Sequence, residues 1–162
     1  MPEPDISWRA LFLNEPLWLA GAAWVISAVL KVLITLAVDR KLLLVRLIGT
    51  GGLPSTHTAP VIGLTTAVGL IYGLNHPYFA FGALLSVIVM YDAANLRQEA
   101  GKHAEAINIL FEELTSGGGI HREKWQKMTE LLGHTPMEIA AGAVVGFFTA
   151  LLGHHLWINY IR

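Results

Sequence analysis

Residues 17–38 read LWLAGAAWVISAVLKVLITLAV, 22 residues with a single charge, Lys31. At 1.5 Å rise per residue such a helix is about 33 Å long, enough to cross the roughly 30 Å hydrocarbon core of a bilayer. Three further runs share this character. Residues 57–75 carry no acid or base after His57, residues 77–96 carry only Asp92, and residues 136–158 hold Glu138 at the start and His154-His155 near the finish. Together they predict an all-α integral membrane helical bundle of four spans, the middle two joined by the short turn Asn75-His76-Pro77. Composition agrees. With 54% hydrophobic and 14% charged residues, a 162-residue chain is too apolar for an ordinary soluble domain, so residues 1–162 are expected to form one membrane domain.

The basic residues give the expected orientation. Arg40, Lys41 and Arg46 fall in the loop 39–56, and Arg97, Lys102, Arg122, Lys124 and Lys127 in the loop 97–135. Four spans put both loops on one side, and the positive-inside rule makes that side cytoplasmic, with both termini opposite. A bacterial inner membrane or a plastid-type membrane is the expected location. The acidic, proline-broken residues 1–14 do not resemble a signal peptide. Their 5–13 portion is expected to lie along the interface as a short amphipathic piece, and residues 42–48 as a re-entrant or interfacial turn. Residues 96–114 and 122–132 read as amphipathic surface helices separated by a flexible break at 116–119. A net charge of −1 argues against nucleic acid as a partner, and the lack of cysteine excludes disulfides and thiolate chemistry.

Two stretches carry the chemistry: Gly51-Gly52-Leu53-Pro54-Ser55-Thr56-His57 and Gly133-His134-Thr135-Pro136-Met137-Glu138. Each sets a histidine at the mouth of a span beside helix-capping residues. Two imidazoles suffice for phosphoryl transfer without a metal or other cofactor: one attacks phosphorus, the other protonates the leaving oxygen, and helix N-termini hold the phosphate charge. Capping alone explains Ser55 or Thr56 as N-cap, and explains Thr135, Pro136 and Glu138 as a capping box. It does not explain the histidines or the glycine pair. Glycines at Gly51-Gly52 let backbone N–H groups approach an anion. Glu138, one turn after His134, can also accept its hydrogen bond and fix its tautomer.

Other polar groups fall on the same side. Asp92 needs a partner so near the membrane, and Arg97 or a histidine is the expected one. Arg97 can alternatively grip phosphate bidentately while Asp92 positions it, with Gly101 leaving room on the same helical face. Lys31 lies about 10 Å inside the expected end of its span, where it either snorkels to the interface or reaches a phosphate. His154 and His155 are expected on the far face, away from the chemistry.

The order and content of these stretches resemble the divergent branch of the type 2 phosphatidic acid phosphatase and vanadium haloperoxidase superfamily, small membrane proteins related to acid phosphatases. The resemblance covers residues 31–152. Pro54, Ser55 and His57 match the motif Pro-Ser-Gly-His, with Thr56 in place of glycine, and the matching histidine is the general acid. His134 and Glu138 match a histidine followed four residues later by an acid, the nucleophile and its orienting carboxylate. The Ser-Arg pair that precedes the nucleophile falls on Lys127 and Met128, so the arginine is absent and Arg97 is its expected substitute. The Lys…Arg-Pro motif is echoed by Lys31 and Arg40 without a following proline.

The resemblance implies a phosphatase of lipid phosphates at the cytoplasmic face, working through a phosphohistidine. His134, His57 and Glu138 are the expected catalytic residues, and Ser55, Thr56, Arg97, Lys31, Asp92 and Gly52 the expected substrate-binding ones. A phosphatidylglycerophosphate-type monoester suits that face, with undecaprenyl diphosphate and phosphatidic acid as alternatives. Four spans, against six in the wider superfamily, suggest a homodimer that completes the site. Two readings of other kinds compete: Mg²⁺-dependent hydrolysis on Asp92, Glu105, Glu138 and the histidines, and a small transporter or scaffold without activity.

Overall fold

The computed structural model describes residues 7–40, 47, 51–116, 128 and 134–161, with the side chains of residues 39, 96–98, 115 and 116 left aside. Helix α1 is Trp8–Phe12, capped by the Ser7 hydroxyl; α2 is Glu15–Asp39; α3 is Thr58–Tyr72; α4 is Pro77–Tyr91. A π-helical turn, Asp92–Leu96, carries α4 directly into α5, Arg97–Ser116, and α6 is Pro136–Tyr160. The all-α membrane bundle is therefore observed, with no strand among the described residues. The expected turn at 42–48 (Leu47 apart), the break at 116–119 (Ser116, which ends α5, apart), the helix at 122–132 (Met128 apart) and the Arg97 side chain all lie outside the described parts.

The capping chemistry is local and legible. Asn14 Oδ1 accepts the Leu17 N–H at 3.2 Å, with Pro16 in the first turn of α2. His76 Nδ1 accepts the Tyr78 N–H at 3.2 Å ahead of α4, a capping role the sequence had not assigned to this histidine. Helix α3 ends at Gly73, whose φ of 91° suits glycine.

Among the described residues, three helices are long and apolar enough to cross a membrane: Glu15–Val38, Pro77–Leu114 and Pro136–Tyr160. The fourth apolar helix, α3, has only 15 residues, shorter than the run 57–75 suggested, because the chain folds into a loop before Thr58 and turns at Gly73. It still reaches from the loop that meets Lys31 to the end of the bundle where Ile71 and Tyr72 lie near Glu15. Its contacts fix the directions: Gly63 faces Ala23 of α2 while Thr56, earlier in the chain, meets Lys31, so α2 and α3 are antiparallel. Thr65 meets Gly82 while Val61, a turn earlier, takes Ser86, so α3 and α4 are antiparallel as well. Helices α3 and α6 run the same way, since Gly142 faces Ser55 and Gly146 faces Ala59.

Small residues make this packing possible. Ala59, Gly63 and Ala67 recur every four residues on α3, and Gly142, Gly146 and Ala150 do so on α6; all six are buried. Lipid tails are as apolar as the helices, so association in a membrane rests on close contact and polar bridges, and small residues let backbones approach. A Cβ at Gly146 would collide with the Ala59 carbonyl oxygen. Between α3 and α4 the bridge is polar: Ser86 Oγ lies 2.9 Å from Thr65 Oγ1 and 3.2 Å from the Val61 carbonyl oxygen.

The consequence is two polar layers. Glu15 and Lys31 on α2, and Glu138 and His154 on α6, are each separated by 16 residues, about 24 Å of helix. Contacts between Lys31 and Thr56 and between His57 and His134 tie one layer, and the bond between His154 and Glu15 ties the other.

Candidate functional site

The loop before α3 turns back at Gly51 and Gly52, whose φ values of 78° and 91° favour glycine. A Cβ on Gly52 would stand 3.4 Å from Lys31 Cγ and Cδ, so the loop is laid against the lysine stem. Two backbone hydrogen bonds then place the loop and the second histidine. The Ser55 N–H donates to the Glu138 carbonyl at 2.9 Å, docking the loop on the first turn of α6. The His134 N–H donates to the Ala93 carbonyl at 2.9 Å, docking the second histidine on the π-helical turn. Such turns inside α-helices frequently occur at functional sites.

The side chains form a relay. Glu138 Oε2 accepts both the Thr135 N–H at 3.2 Å and His134 Nδ1 at 2.9 Å, while the Glu138 N–H donates to Thr135 Oγ1 at 3.3 Å. Capping box and histidine partner, the two roles weighed for Glu138, thus coexist in one carboxylate oxygen. A carboxylate is an acceptor only, so Nδ1 of His134 carries the proton and Nε2 of the neutral ring carries the lone pair. Nε2 faces His57 Nδ1 at 3.1 Å, and with His134 neutral the proton between the two rings belongs to His57. The rings meet edge on, with centroids 5.4 Å apart. His134 is buried and His57 half-buried.

Lys31 does not snorkel. It is 1% exposed and its Nζ donates to Thr56 Oγ1 at 3.3 Å, one residue from His57. Ser55 is fully buried, its Oγ accepting the Thr58 N–H at 3.2 Å and the Thr58 hydroxyl at 3.1 Å. The formal N-cap of α3 is His57, without a side-chain cap bond, rather than Ser55 or Thr56. The difference is one of boundary: Ser55 still supplies the capping oxygen from one turn back, and helix starts shift by a residue or two with definition. Asp92 is half-buried where α4 widens into the π turn, next to the Ala93 carbonyl that holds His134. Among the described residues, no group of three or more His, Cys, Asp or Glu side chains could hold a metal ion.

The other layer holds a pair that sequence reading missed. His154 Nδ1 lies 2.5 Å from Glu15 Oε1, joining residues 139 positions apart. Neither flank carries a motif, so only the packing of α2 on α6 reveals it.

Both α3 and α6 begin at the histidine layer, so two helix N-termini, each with a partial positive charge, converge beside a buried lysine and two imidazoles. A helical membrane protein with two paired histidines at one end of its bundle is the class this arrangement defines. The family model for the Divergent PAP2 family matches residues 12–149, and the chain belongs to that family. The chain is also 38% identical over 150 residues to an uncharacterized membrane protein, YuiD, of Bacillus subtilis (strain 168), across 88% of this chain and 95% of the relative. No solved structure matches the chain.

Proposed function

We propose that the protein is a lipid-phosphate phosphatase that works through a phosphohistidine on His134. The observation that carries this reading is the relay from Glu138 to His134 to His57, bonded at 2.9 and 3.1 Å. It gives His134 Nε2 the lone pair a nucleophile needs and leaves His57 as the proton carrier beside it.

In the first step Nε2 attacks phosphorus, the bond from phosphorus to the lipid oxygen breaks, and His57 gives its proton to the leaving alkoxide. Glu138 stabilises the imidazolium character that develops on His134. In the second step His57 takes a proton from water, the water oxygen bonds to phosphorus, and the bond between nitrogen and phosphorus breaks to release inorganic phosphate. In this reading Lys31 and Thr56, beside His57, hold the phosphate oxygens. The 3.1 Å gap is too narrow for a phosphoryl group, so substrate binding has to turn His57 aside.

A phosphomonoester on a membrane lipid is the substrate class, and the excess of Lys and Arg in the adjoining loops supports a cytoplasmic orientation and a phosphatidylglycerophosphate-type headgroup. The test is phosphate release by the purified protein from a panel of lipid phosphates, with wild type beside His134→Ala. The expected result is release by wild type and none by the folded variant. Equal release by both, or none from any lipid, would overturn the proposal.

A further inference from the structure

At the layer opposite the histidines lies an open cavity of about 490 Å³, lined by Asn14 and Glu15 at the corner between α1 and α2, by Ile71 and Tyr72 at the end of α3, and by Trp157 and Ile161 at the end of α6. That volume lies within the range of small-molecule and headgroup pockets. The acid in its wall is nearly buried: Glu15 is 9% exposed and held by His154 through Oε1, while Oε2 takes no hydrogen bond from the described residues.

Helix polarity adds to this charge. Helices α3 and α6 both end at the cavity, so two sets of terminal carbonyls bring partial negative charge to it. Only α2 begins there, and Asn14 Oδ1 already occupies one of its N–H groups. With His154 neutral, a carboxylate and two carbonyl ends outweigh one amide end, and the cavity then favours a cation. Trp157 and Tyr72 supply aromatic faces, which attract organic ammonium groups most strongly when these are desolvated.

The surroundings identify the carrier. Trp8, Phe12, Tyr72, Tyr78 and Tyr160 are all exposed around this end of the bundle, and exposed Trp and Tyr mark the level of lipid headgroups. We infer that this cavity binds the ammonium headgroup of a membrane lipid, in the leaflet opposite the histidine site and about 24 Å from it. Glu15 is the counter-ion, His154 holds that carboxylate in place, and Trp157 covers the ammonium group. The inference stands independently of any phosphatase activity.

The test uses the full chain in detergent, with the thermal-unfolding midpoint as readout. Four additions are compared: an ethanolamine-headgroup phospholipid, a choline-headgroup phospholipid, a glycerol-headgroup phospholipid with the same acyl chains, and free ethanolamine. The two ammonium lipids should raise the midpoint saturably, by about 5 °C at a hundredfold excess over Kd, and the glycerol lipid should not. Free ethanolamine should act only at far higher concentration, because the lipid also brings its chains. Glu15→Gln keeps an acceptor for His154 and should lose the ammonium-specific shift. If that variant does not fold, Trp157→Leu should weaken binding several-fold instead. An equal shift from the glycerol lipid, or a full ammonium shift in folded Glu15→Gln, would overturn the inference.

Discussion

Gly142→Ala adds one methyl group where α6 meets the loop that carries His57. A Cβ there would stand 2.7 Å from the Ser55 carbonyl oxygen and 3.0 Å from the Cβ atoms of Ser55 and Thr58. Carbon contacts are most favourable at about 3.5–4.0 Å, so the loop has to retreat by roughly 0.5–1 Å. Ser55 is tied at 2.9 Å to the Glu138 carbonyl, one turn before residue 142, and retreat stretches that bond. His57, two residues further on, then draws away from His134. Overpacking of this kind costs about 1–3 kcal/mol, which for a chain of this size lowers the unfolding midpoint by roughly 2–12 °C. A displacement near 1 Å between reacting groups costs on the order of 10²-fold in rate. The variant should therefore fold, melt earlier and lose most of its turnover. Two companions set the scale. Gly21 has nothing within 4 Å of its added Cβ, so Gly21→Ala should be neutral or stabilising by up to about 1 kcal/mol. At Gly146 the Cβ would overlap the Ala59 carbonyl oxygen, and Gly146→Ala should be the most damaging of the three. Midpoints in one detergent and phosphate release from one lipid phosphate measure the series. Wild-type turnover in Gly142→Ala, or a Gly21→Ala variant as unstable as Gly146→Ala, would refute the packing argument.

Other outcomes follow from single contacts. Glu138→Gln keeps the capping box but removes the charge behind His134, so turnover should fall by about 10²-fold or more while the midpoint barely moves; a fully active variant would reduce Glu138 to a cap. Lys31→Met removes a buried cation at similar volume, so kcat/KM for lipid phosphates should drop by at least about tenfold with stability unchanged or raised; unchanged kinetics would remove Lys31 from the phosphate site. His154→Ala breaks a largely buried bond to a carboxylate and should cost about 1.5–3 kcal/mol without changing kcat, and a loss of kcat equal to that of the catalytic variants would contradict the separation of the two layers. The chain has no cysteine, so single thiols at positions 75 and 118 can be labelled from either side of the membrane. They should react from opposite faces, and labelling of both from one face would break the alternating crossing of the helices.

The fold was legible because its signals are local. The apolar run 17–38, the caps at Asn14, Thr135 and Pro136, and the glycine at the end of α3 each work within a few residues. The run 57–75 exceeds α3 for a physical reason: Gly73, Leu74 and Asn75 carry no charge, so an uncharged stretch continues where the backbone has already turned at Gly73. Nor could hydropathy show that α4 runs unbroken through a π turn into α5, since the sequence Asp92-Ala93-Ala94-Asn95-Leu96 contains no helix breaker and only the hydrogen-bond register widens. At the site, the capping-box place of Glu138 implied its contact with His134, because a side chain at that position reaches back over the residues just before the helix. The approach of His57 to His134 joins residues 77 positions apart and came from the family resemblance; no periodicity within the chain contains it. The burial of Lys31 against Thr56 and the bond from Glu15 to His154 depend on how α2 packs in three dimensions, which a linear pattern leaves open.

The central claim is that His134 forms a covalent bond to phosphorus, and acid-stabilised intermediates cannot report it because phosphohistidine survives in base. The direct measurement is therefore an alkaline quench of the purified His57→Ala variant after brief exposure to p-nitrophenyl phosphate, followed by mass analysis of the peptide containing residue 134. With the proton carrier gone but a good leaving group supplied, the phosphoenzyme should form and then hydrolyse slowly, leaving one added phosphoryl group on His134. Nitrophenolate release with no phosphate on His134, or the group on another residue, would contradict the mechanism.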